Sequence, residues 1–202
     1  FVVAFLFYND GVQTVIRITP VFASETLDLS ATTIAAVFVV IQLVAFFGAL
    51  SCGWVAGRVG AKRAILVSIV GWALVTVGGY LMPDGQVAPF LLLGVLAGLV
   101  LGGVQALSRS LYGSMIPEEA SAEFFGFYSV FSKFSAIFGP LIFAVVDIAT
   151  GSARLSILFL TAFFVIGGVL LSRVDVDVAR ASRNAWSLDE SPLPPDREAG
   201  PA

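Results

Sequence analysis

The sequence predicts an all-α membrane protein whose six transmembrane helices follow one another along the chain. Its 202 residues are 58% hydrophobic and only 12% charged, whereas soluble domains carry about 25% charged residues. The mean hydropathy of +0.96 comes from long uninterrupted apolar runs. These observations indicate that most of the chain lies in lipid, where a run of ~20 apolar residues spans the ~30 Å hydrocarbon core.

Six apolar segments near this length can be drawn, with short polar connections between them. The tail after the sixth, residues 174–202, is polar and rich in proline, which is typical of a disordered cytoplasmic segment. Because the chain opens inside an apolar run without methionine, we expect further protein before residue 1. The expected transmembrane domain, 1–173, contains spans at about 1–23, 32–57, 64–82, 88–112, 123–147 and 154–173.

Basic residues in the short connections predict the orientation, because cytoplasmic loops carry an excess of lysine and arginine. If six spans alternate, the second connection and the tail fall on the same side, and the other side has Arg154 and several acids. Both ends of the chain are therefore predicted to be cytoplasmic. The basic residues on that side are Arg58, Lys62, Arg63, Arg109, Arg173, Arg180, Arg183 and Arg197.

The composition excludes several classes of catalytic and metal site. The chain contains no histidine and a single cysteine, which rules out serine–histidine and cysteine–histidine catalysis and histidine metal sites. No G-x-x-x-x-G-K phosphate-binding loop is present, which argues against ATP-driven transport by this chain. We expect no metal, no cofactor and no enzymatic activity, and the net charge of −3 gives no indication of nucleic-acid binding.

The first span carries four polar residues inside an apolar run: Asn9, Asp10, Gln13 and Arg17. Charged groups in hydrocarbon cost about 2.5–3.5 kcal/mol each on insertion scales, and membrane segments that retain them usually do so for function or pairing. Asp10 lies ~14 Å along the helix from residue 1, near the membrane middle, and shares a face with Gln13 and Arg17. Two interpretations stay open. Asn9, Asp10 and Gln13 contact the substrate or couple a proton, or Asp10 caps a helix that starts later.

The fourth span ends in a polar stripe. Gln105 is deep enough to bind a ligand, and Arg109 lies one turn closer to the cytoplasm. Arg109 either contacts the substrate or pairs with an acid of the following loop to form a cytoplasmic gate. The candidate acids are Glu118, Glu119 and Glu123.

In the fifth span, Lys133 lies ~14 Å along the helix from the start of the span. An unpaired ammonium at that depth loses its proton or finds a carboxylate, and Asp10 lies at a similar depth. Two interpretations of a pair between Asp10 and Lys133 stay open: it takes part in transport, or it only neutralises the two charges so that the helices can assemble. The Gly139-Pro140 pair should kink or end this helix and leave a free backbone carbonyl. Two further candidates for substrate contact are Tyr128 and Ser132.

Polarity is distributed unevenly over the six spans. The first, fourth and fifth carry the polar groups, whereas the third span and residues 155–172 of the sixth have no charged residue. Spans three apart in order have similar polarity: the first and fourth are both polar, and the third and sixth are both apolar. A three-plus-three inverted repeat around a midplane site produces this pattern. We expect the helices with Asp10, Gln105 and Lys133 to line a cavity, and the third and sixth spans to support it from outside.

The second connection, GWVAGRVGAKR, carries glycines and basic residues in a defined order. One interpretation is an ordinary positive-inside loop. The pattern also resembles the loop signature of the major facilitator superfamily: glycine, three residues, aspartate, arginine, any residue, glycine, any residue and two basic residues. The aspartate, which helps to latch a conformational state in that family, is replaced here by Gly57. The matching positions are Gly53, Arg58, Gly60, Lys62 and Arg63.

Three further stretches make the resemblance more specific. QALSRSLYGSMIPEE and AEFFGFYSVFSKFSAIFGP look like the vacuole-effluxer branch of that superfamily, which includes autophagy-linked vacuolar amino-acid exporters and their bacterial relatives, and YNDGVQT resembles the seventh helix of the same group. The likeness covers residues 1–173. It implies that the six spans are helices seven to twelve of a twelve-helix secondary transporter, preceded by an amino-terminal six-helix half.

The resemblance also implies an activity, partners and a location. A transporter of this branch would move small metabolites, with amino-acid efflux the leading case, by alternating access of two halves around a midplane site. Its partners would be the lipid bilayer, a small-molecule substrate and the missing six-helix half, without nucleic acid. It would lie in the plasma (inner) membrane of a bacterium or the vacuolar membrane of a fungus.

Rival interpretations come from other classes of protein. A self-contained six-helix protein that dimerises into a carrier or channel would need no upstream half. An intramembrane enzyme would need paired deep carboxylates or a serine–histidine pair, whereas Asp10 is the only deep carboxylate in the sequence. A purely structural subunit explains poorly why three spans carry polar groups.

Overall fold

The computed structural model describes residues 1–189 of the chain. Within these residues there is no strand, and the predicted all-α class is confirmed. In that part of the chain the helices are α1 (Val2–Glu25), α2 (Ala31–Val59), α3 (Ala61–Tyr80), α4 (Val87–Gly113), α5 (Ser121–Phe134), α6 (Phe138–Thr150), α7 (Ala153–Ser172) and α8 (Val176–Asp189).

The lengths and compositions of the helices suit a membrane. By these two measures α2, α3, α4, α7 and the segment Ser121–Thr150, which contains α5 and α6, can cross a bilayer. α1, drawn as the first span, is not among them because its polar side chains lower its hydropathy. It is enclosed by its neighbours instead, with ten buried residues against three in the longer α2. The chain is an integral, multi-pass membrane protein.

α1 lies at the centre of the bundle and contacts α5, α6 and α7. Around it, α2 packs along α4, and α3 packs against both α4 and α7. Small residues permit the closest approach, as they commonly do between membrane helices. A methyl group at Gly98 or Gly102 of α4 would come within 2.9 Å or 2.7 Å, respectively, of a backbone oxygen of α2.

α3 and α7 run antiparallel and are joined at both ends by cationic side chains. Lys62, at the start of α3, donates through Nζ to two carbonyls at the end of α7, both at 2.8 Å. Arg154, at the start of α7, donates to two carbonyls at the end of α3 and pairs with Asp84. Such contacts are favourable because the carbonyl end of a helix carries partial negative charge. The accepting carbonyls belong to Ser172, Val174, Tyr80 and Met82.

The fifth predicted span, about 123–147, is interrupted in its middle. α5 ends at Phe134 and α6 begins at Phe138, so the helix is interrupted near Gly139-Pro140 as the sequence predicted, with the break a few residues before the pair. Pro140 explains the position, because proline has no N–H and crowds the carbonyl four residues earlier, which is that of Ala136. This freed carbonyl accepts a hydrogen bond from Arg17 of α1 at 3.1 Å. The break and the free carbonyl thus lie one turn before the proline.

The chain differs from the expected disordered tail over Val176–Asp189, which forms α8. Asp175 begins this helix, because its carboxylate accepts hydrogen bonds from the N–H groups of residues 177 and 178 at 3.0 and 3.1 Å. Arg180 and Arg183 then tie α8 to the end of α4, donating to the hydroxyl and the carbonyl of Ser114. The rest of the predicted tail, 190–202, lies outside the described residues.

Candidate functional site

A polar cavity of about 260 Å³ lies between α1, α4 and α5. Each helix contributes a pair of polar residues spaced four apart, and this spacing places both members of a pair on one helical face. Three faces that are polar in otherwise apolar helices thus converge on one space. The residues that line the polar cavity are Phe5, Asn9, Gln13, Gln105, Ala106, Arg109, Tyr128 and Ser132.

The polar cavity brings together five of the seven residues that the sequence proposed for substrate contact or proton coupling: Asn9, Gln13, Gln105, Tyr128 and Ser132. Arg109, for which substrate contact and a gate were both considered, lies there as well. Asp10 and Lys133 do not line it.

One wall of the polar cavity is a rigid aromatic stack. The Tyr128 ring is 3% exposed and stacks on Phe5 with ring centroids 4.4 Å apart and on Tyr112 with centroids 4.9 Å apart. Tyr112 is held in turn by its hydroxyl, which donates to the Phe124 carbonyl at 3.1 Å. Because these rings are fixed by one another, Tyr128 presents a defined surface to the cavity.

Two buried hydrogen bonds hold α1 in this position. The Tyr8 hydroxyl bonds to Ser108 Oγ of α4 at 2.7 Å, and Asn9 Nδ2 donates to Ser135 Oγ, just after α5, at 2.6 Å. Tyr8, Ser108 and Ser135 were not among the site residues predicted from the sequence. The sequence feature that could have identified them is a hydroxyl group deep in an apolar span, within one helical turn of a predicted site residue.

Three side chains in the polar cavity carry unused hydrogen-bonding capacity. In the part of the chain that the structure describes, Gln13, Gln105 and Arg109 have no side-chain hydrogen bond or ion pair. Amide and guanidinium groups in a membrane bundle are expensive to leave unpaired. Gln105 and Arg109 are exposed and Gln13 is half-buried, so their donors and acceptors are accessible to a polar ligand.

Asp10 points away from the polar cavity into a buried junction between α1 and α6. Asp10 and Thr14, one turn later, are both 0% exposed, and neither the carboxylate oxygens nor the Thr14 hydroxyl have a hydrogen-bond partner within residues 1–189. Both side chains lie against Gly139, where a methyl group would overlap Thr14 Oγ1 and come within 3.0 Å of Asp10 Oδ1. The N–H of Gly139 faces the carboxylate without closing a hydrogen bond in good geometry.

The proposed pair of Asp10 and Lys133 is not formed. Lys133 is exposed, whereas Asp10 is buried, and the single ion pair within residues 1–189 joins Arg154 to Asp84. Similar depth was insufficient because one residue along a helix turns the side chain by about 100°. Asp10 and Gln13 were predicted to share one face of α1, but Asp10 points into the junction with α6 and Gln13 points into the polar cavity.

The proposed gate pair is also absent within residues 1–189, since Arg109 forms no ion pair with Glu118, Glu119 or Glu123. Glu123 is exposed in the first turn of α5, and no ion pair links it to Arg109. The guanidinium faces the polar cavity instead and is close enough to Tyr128 to interact with it electrostatically.

The loop motif forms the turn between α2 and α3. Gly60 has φ +90°, a conformation that favours glycine, and Lys62 binds the end of α7. The Arg58 guanidinium lies 3.5 Å above the centroid of Trp54. Gly53 and Arg63 are exposed, and a methyl group at Gly53 would meet nothing within 4 Å. A latching role for this loop stays a prediction.

Acidic and sulfur side chains do not cluster in a way that would hold a metal ion. Among the described residues, no group of three or more cysteine, aspartate or glutamate side chains is placed to do so.

Comparison with known proteins identifies the family. The sequence matches the family model described as "Vacuole effluxer Atg22 like" over residues 1–185. It is 36% identical to "Uncharacterized MFS-type transporter YxiO" of Bacillus subtilis, over 86% of this chain and 40% of that protein. It is 30% identical to "Autophagy-related protein 22-1" of Aspergillus niger, over 94% of this chain and 33% of that protein.

A third relative, "Autophagy-related protein 22-1" of Penicillium rubens, is 28% identical over 99% of this chain and 36% of its own length. No solved structure matches the sequence. The chain spans 33–40% of the length of these three relatives. Because the family model covers nearly all of the described residues, the resemblance inferred from the motifs is confirmed: the chain belongs to the vacuole effluxer Atg22-like family of major-facilitator-type membrane proteins.

Proposed function

We propose that this chain is the carboxy-terminal half of a secondary transporter that moves small polar metabolites by alternating access. The observation that carries the proposal is the polar cavity, with its unpaired amides and guanidinium, inside an otherwise apolar bundle. Apolar side chains on the outer surface, such as Leu43 (61% exposed) and Phe46 (64% exposed), suit contact with lipid. A site at the interface of polar helix faces is where transporters of this architecture bind substrate.

A second six-helix half would complete the transport pathway. The fraction of each relative that the chain spans supports this arrangement. The two halves would rock against each other around the polar cavity, with both ends of this half in the cytoplasm. α3 and α7, which are joined at both ends, would serve as the support that the sequence predicted for the third and sixth spans.

The family description favours efflux, and amino acids are the substrates we propose first. Amides and hydroxyls that line the polar cavity would bind the polar backbone atoms of such a substrate, and the stack around Tyr128 would contact an apolar side chain. The energy source would be an ion gradient or the gradient of the substrate itself. The membrane would be the plasma (inner) membrane in a bacterium or the vacuolar membrane in a fungus.

The test is uptake by the full-length parent protein in sealed vesicles. Labelled neutral amino acids are followed for the wild type, for Gln105→Leu and for the matched control Gln42→Leu, which makes the same change on α2 outside the polar cavity. Loss of one substrate hydrogen bond worth about 1.5 kcal/mol predicts a roughly tenfold lower uptake for Gln105→Leu. The control should keep the wild-type rate, and equal losses in both variants would contradict the proposal.

A further inference from the structure

Arg109 is the one charged residue among the described residues that line the polar cavity. The other polar groups there are the amides of Asn9, Gln13 and Gln105 and the hydroxyls of Tyr128 and Ser132, all of which are neutral. No carboxylate within residues 1–189 lines the cavity, so the described lining carries a single positive charge. A binding site with this charge favours a ligand that supplies a negative group.

The acids closest in sequence to the cavity residues do not neutralise Arg109. Asp10 follows Asn9 but is buried against Gly139, and Glu123 is exposed and makes no ion pair. Two other cations donate to backbone carbonyls: Lys62 to two at the end of α7, and Arg17 to that of Ala136. Within residues 1–189, no carboxylate forms an ion pair with the Arg109 guanidinium.

We propose that Arg109 binds the carboxylate of the transported substrate, an inference that rests on the transport function proposed above. The planar guanidinium offers parallel N–H donors that match the two oxygens of a carboxylate. Gln105 lies one turn earlier on the same face of α4 and contacts the same ligand through its amide. Gln13 lines the same cavity from α1, so its amide is also available to the ligand.

The charges of the lining residues predict which substrates are preferred, because the lining contains an arginine but no acidic residue. The carboxylate has a charged partner in this half, whereas a substrate ammonium has no acidic partner among the lining residues. Compounds that keep the carboxylate but replace the amino group by a hydroxyl are therefore accepted. Compounds that keep the amino group but convert the carboxylate to an amide lose the charge-assisted bond to Arg109.

Three pools of labelled compounds test this preference: neutral amino acids, the corresponding 2-hydroxy acids and the corresponding amino-acid amides. Uptake of each pool is measured in vesicles containing the full-length parent protein. A charge-assisted hydrogen bond predicts that the wild type carries the two carboxylate pools about 10- to 100-fold faster than the amides. Arg109→Gln should abolish this difference, and Arg109→Lys should reduce it, because lysine keeps the charge but lacks the paired donors.

Arg173→Gln is the matched control, because Arg173 is an exposed arginine at the end of α7 that does not line the cavity. It should keep the wild-type preference. Equal uptake of amides and carboxylates by the wild type would overturn the inference and leave the transport function standing. A uniform loss of all pools in Arg109→Gln, with the preference unchanged, would also overturn it and assign Arg109 to a protein carboxylate. Absence of uptake of every pool by the wild type would overturn the transport function itself.

Discussion

The two polar faces of α1 are one residue apart in sequence and differ in their surroundings. Asn9 and Gln13 face the polar cavity, where Gln13 has no side-chain hydrogen bond to another residue of 1–189. Asp10 and Thr14 face the start of α6, where both are 0% exposed and pack against Gly139. The first face is open to a ligand, and the second is closed by a neighbouring helix.

This difference teaches that a polar residue in a membrane span has two distinct uses. On the cavity face, polar groups without a partner among the described residues are available to a ligand. On the junction face, Asp10 and Thr14 pack against Gly139 without a hydrogen bond among the described residues, and Arg17 donates to the carbonyl that Pro140 leaves free. Changes on the two faces should therefore affect different properties, the junction changing stability and the cavity changing transport.

The largest effect on stability is expected from Gly139→Ala. The new methyl group would overlap the Thr14 hydroxyl and crowd Asp10, and overpacking of this kind lowers the free energy of unfolding by about 1–3 kcal/mol. Thermal unfolding in detergent measures the loss. Gly126→Ala on α5 is the control, because a methyl group there meets nothing within 4 Å.

A double variant sharpens the assignment of this effect. Thr14→Ala removes the atom that the new methyl group overlaps, so Gly139→Ala should be less destabilising in that background. Additive losses in the double variant would show that the two side chains do not compete for the same space.

A smaller effect, and of opposite sign, is expected from Asp10→Asn. A carboxylate buried without a hydrogen bond or ion pair is penalised more than an amide of the same shape, so the variant should be more stable by about 1 kcal/mol. Thermal unfolding measures the shift, and uptake driven by a proton gradient measures whether Asp10 couples proton movement to transport. A lower Tm would instead show that the positive end of α6 stabilises the charge by more than burial penalises it.

The smallest effect on stability is expected on the cavity face. Gln13→Leu removes an amide without a partner among the described residues, and should change the free energy of unfolding by less than about 0.5 kcal/mol. Uptake of neutral amino acids should nevertheless fall. A marked loss of stability without loss of uptake would show that the two faces of α1 do not differ in the way described.

Much of the site could be predicted from the sequence because polar residues are conspicuous in apolar spans. Asn9, Gln13, Gln105, Tyr128 and Ser132 were identified by chemical type and depth, and the structure brings them together. The fold class followed from the lengths of the apolar runs. These properties depend on composition and spacing, which a sequence displays directly.

The direction in which a side chain points could not be predicted in the same way. Asp10 and Lys133 have matching depth, but the rotation of α1 places Asp10 against α6 and leaves Lys133 exposed. The break before Pro140 makes side-chain directions harder to predict, because α5 and α6 are separate helices. The orientation of one therefore does not give the orientation of the other. α8 was missed because the proline-rich end of the tail outweighed the N-cap at Asp175.

The contacts between α3 and α7 have a mechanical consequence. Lys62 ties one end of the pair and Arg154 ties the other, so neither helix can slide along its partner without breaking both attachments. A shift of a single residue corresponds to about 1.5 Å along a helix axis, and it would carry each cation away from its carbonyls. α3 and α7 should therefore move as one rigid unit. Sliding of one helix along another within this bundle is expected only for helices that lack such contacts at both ends.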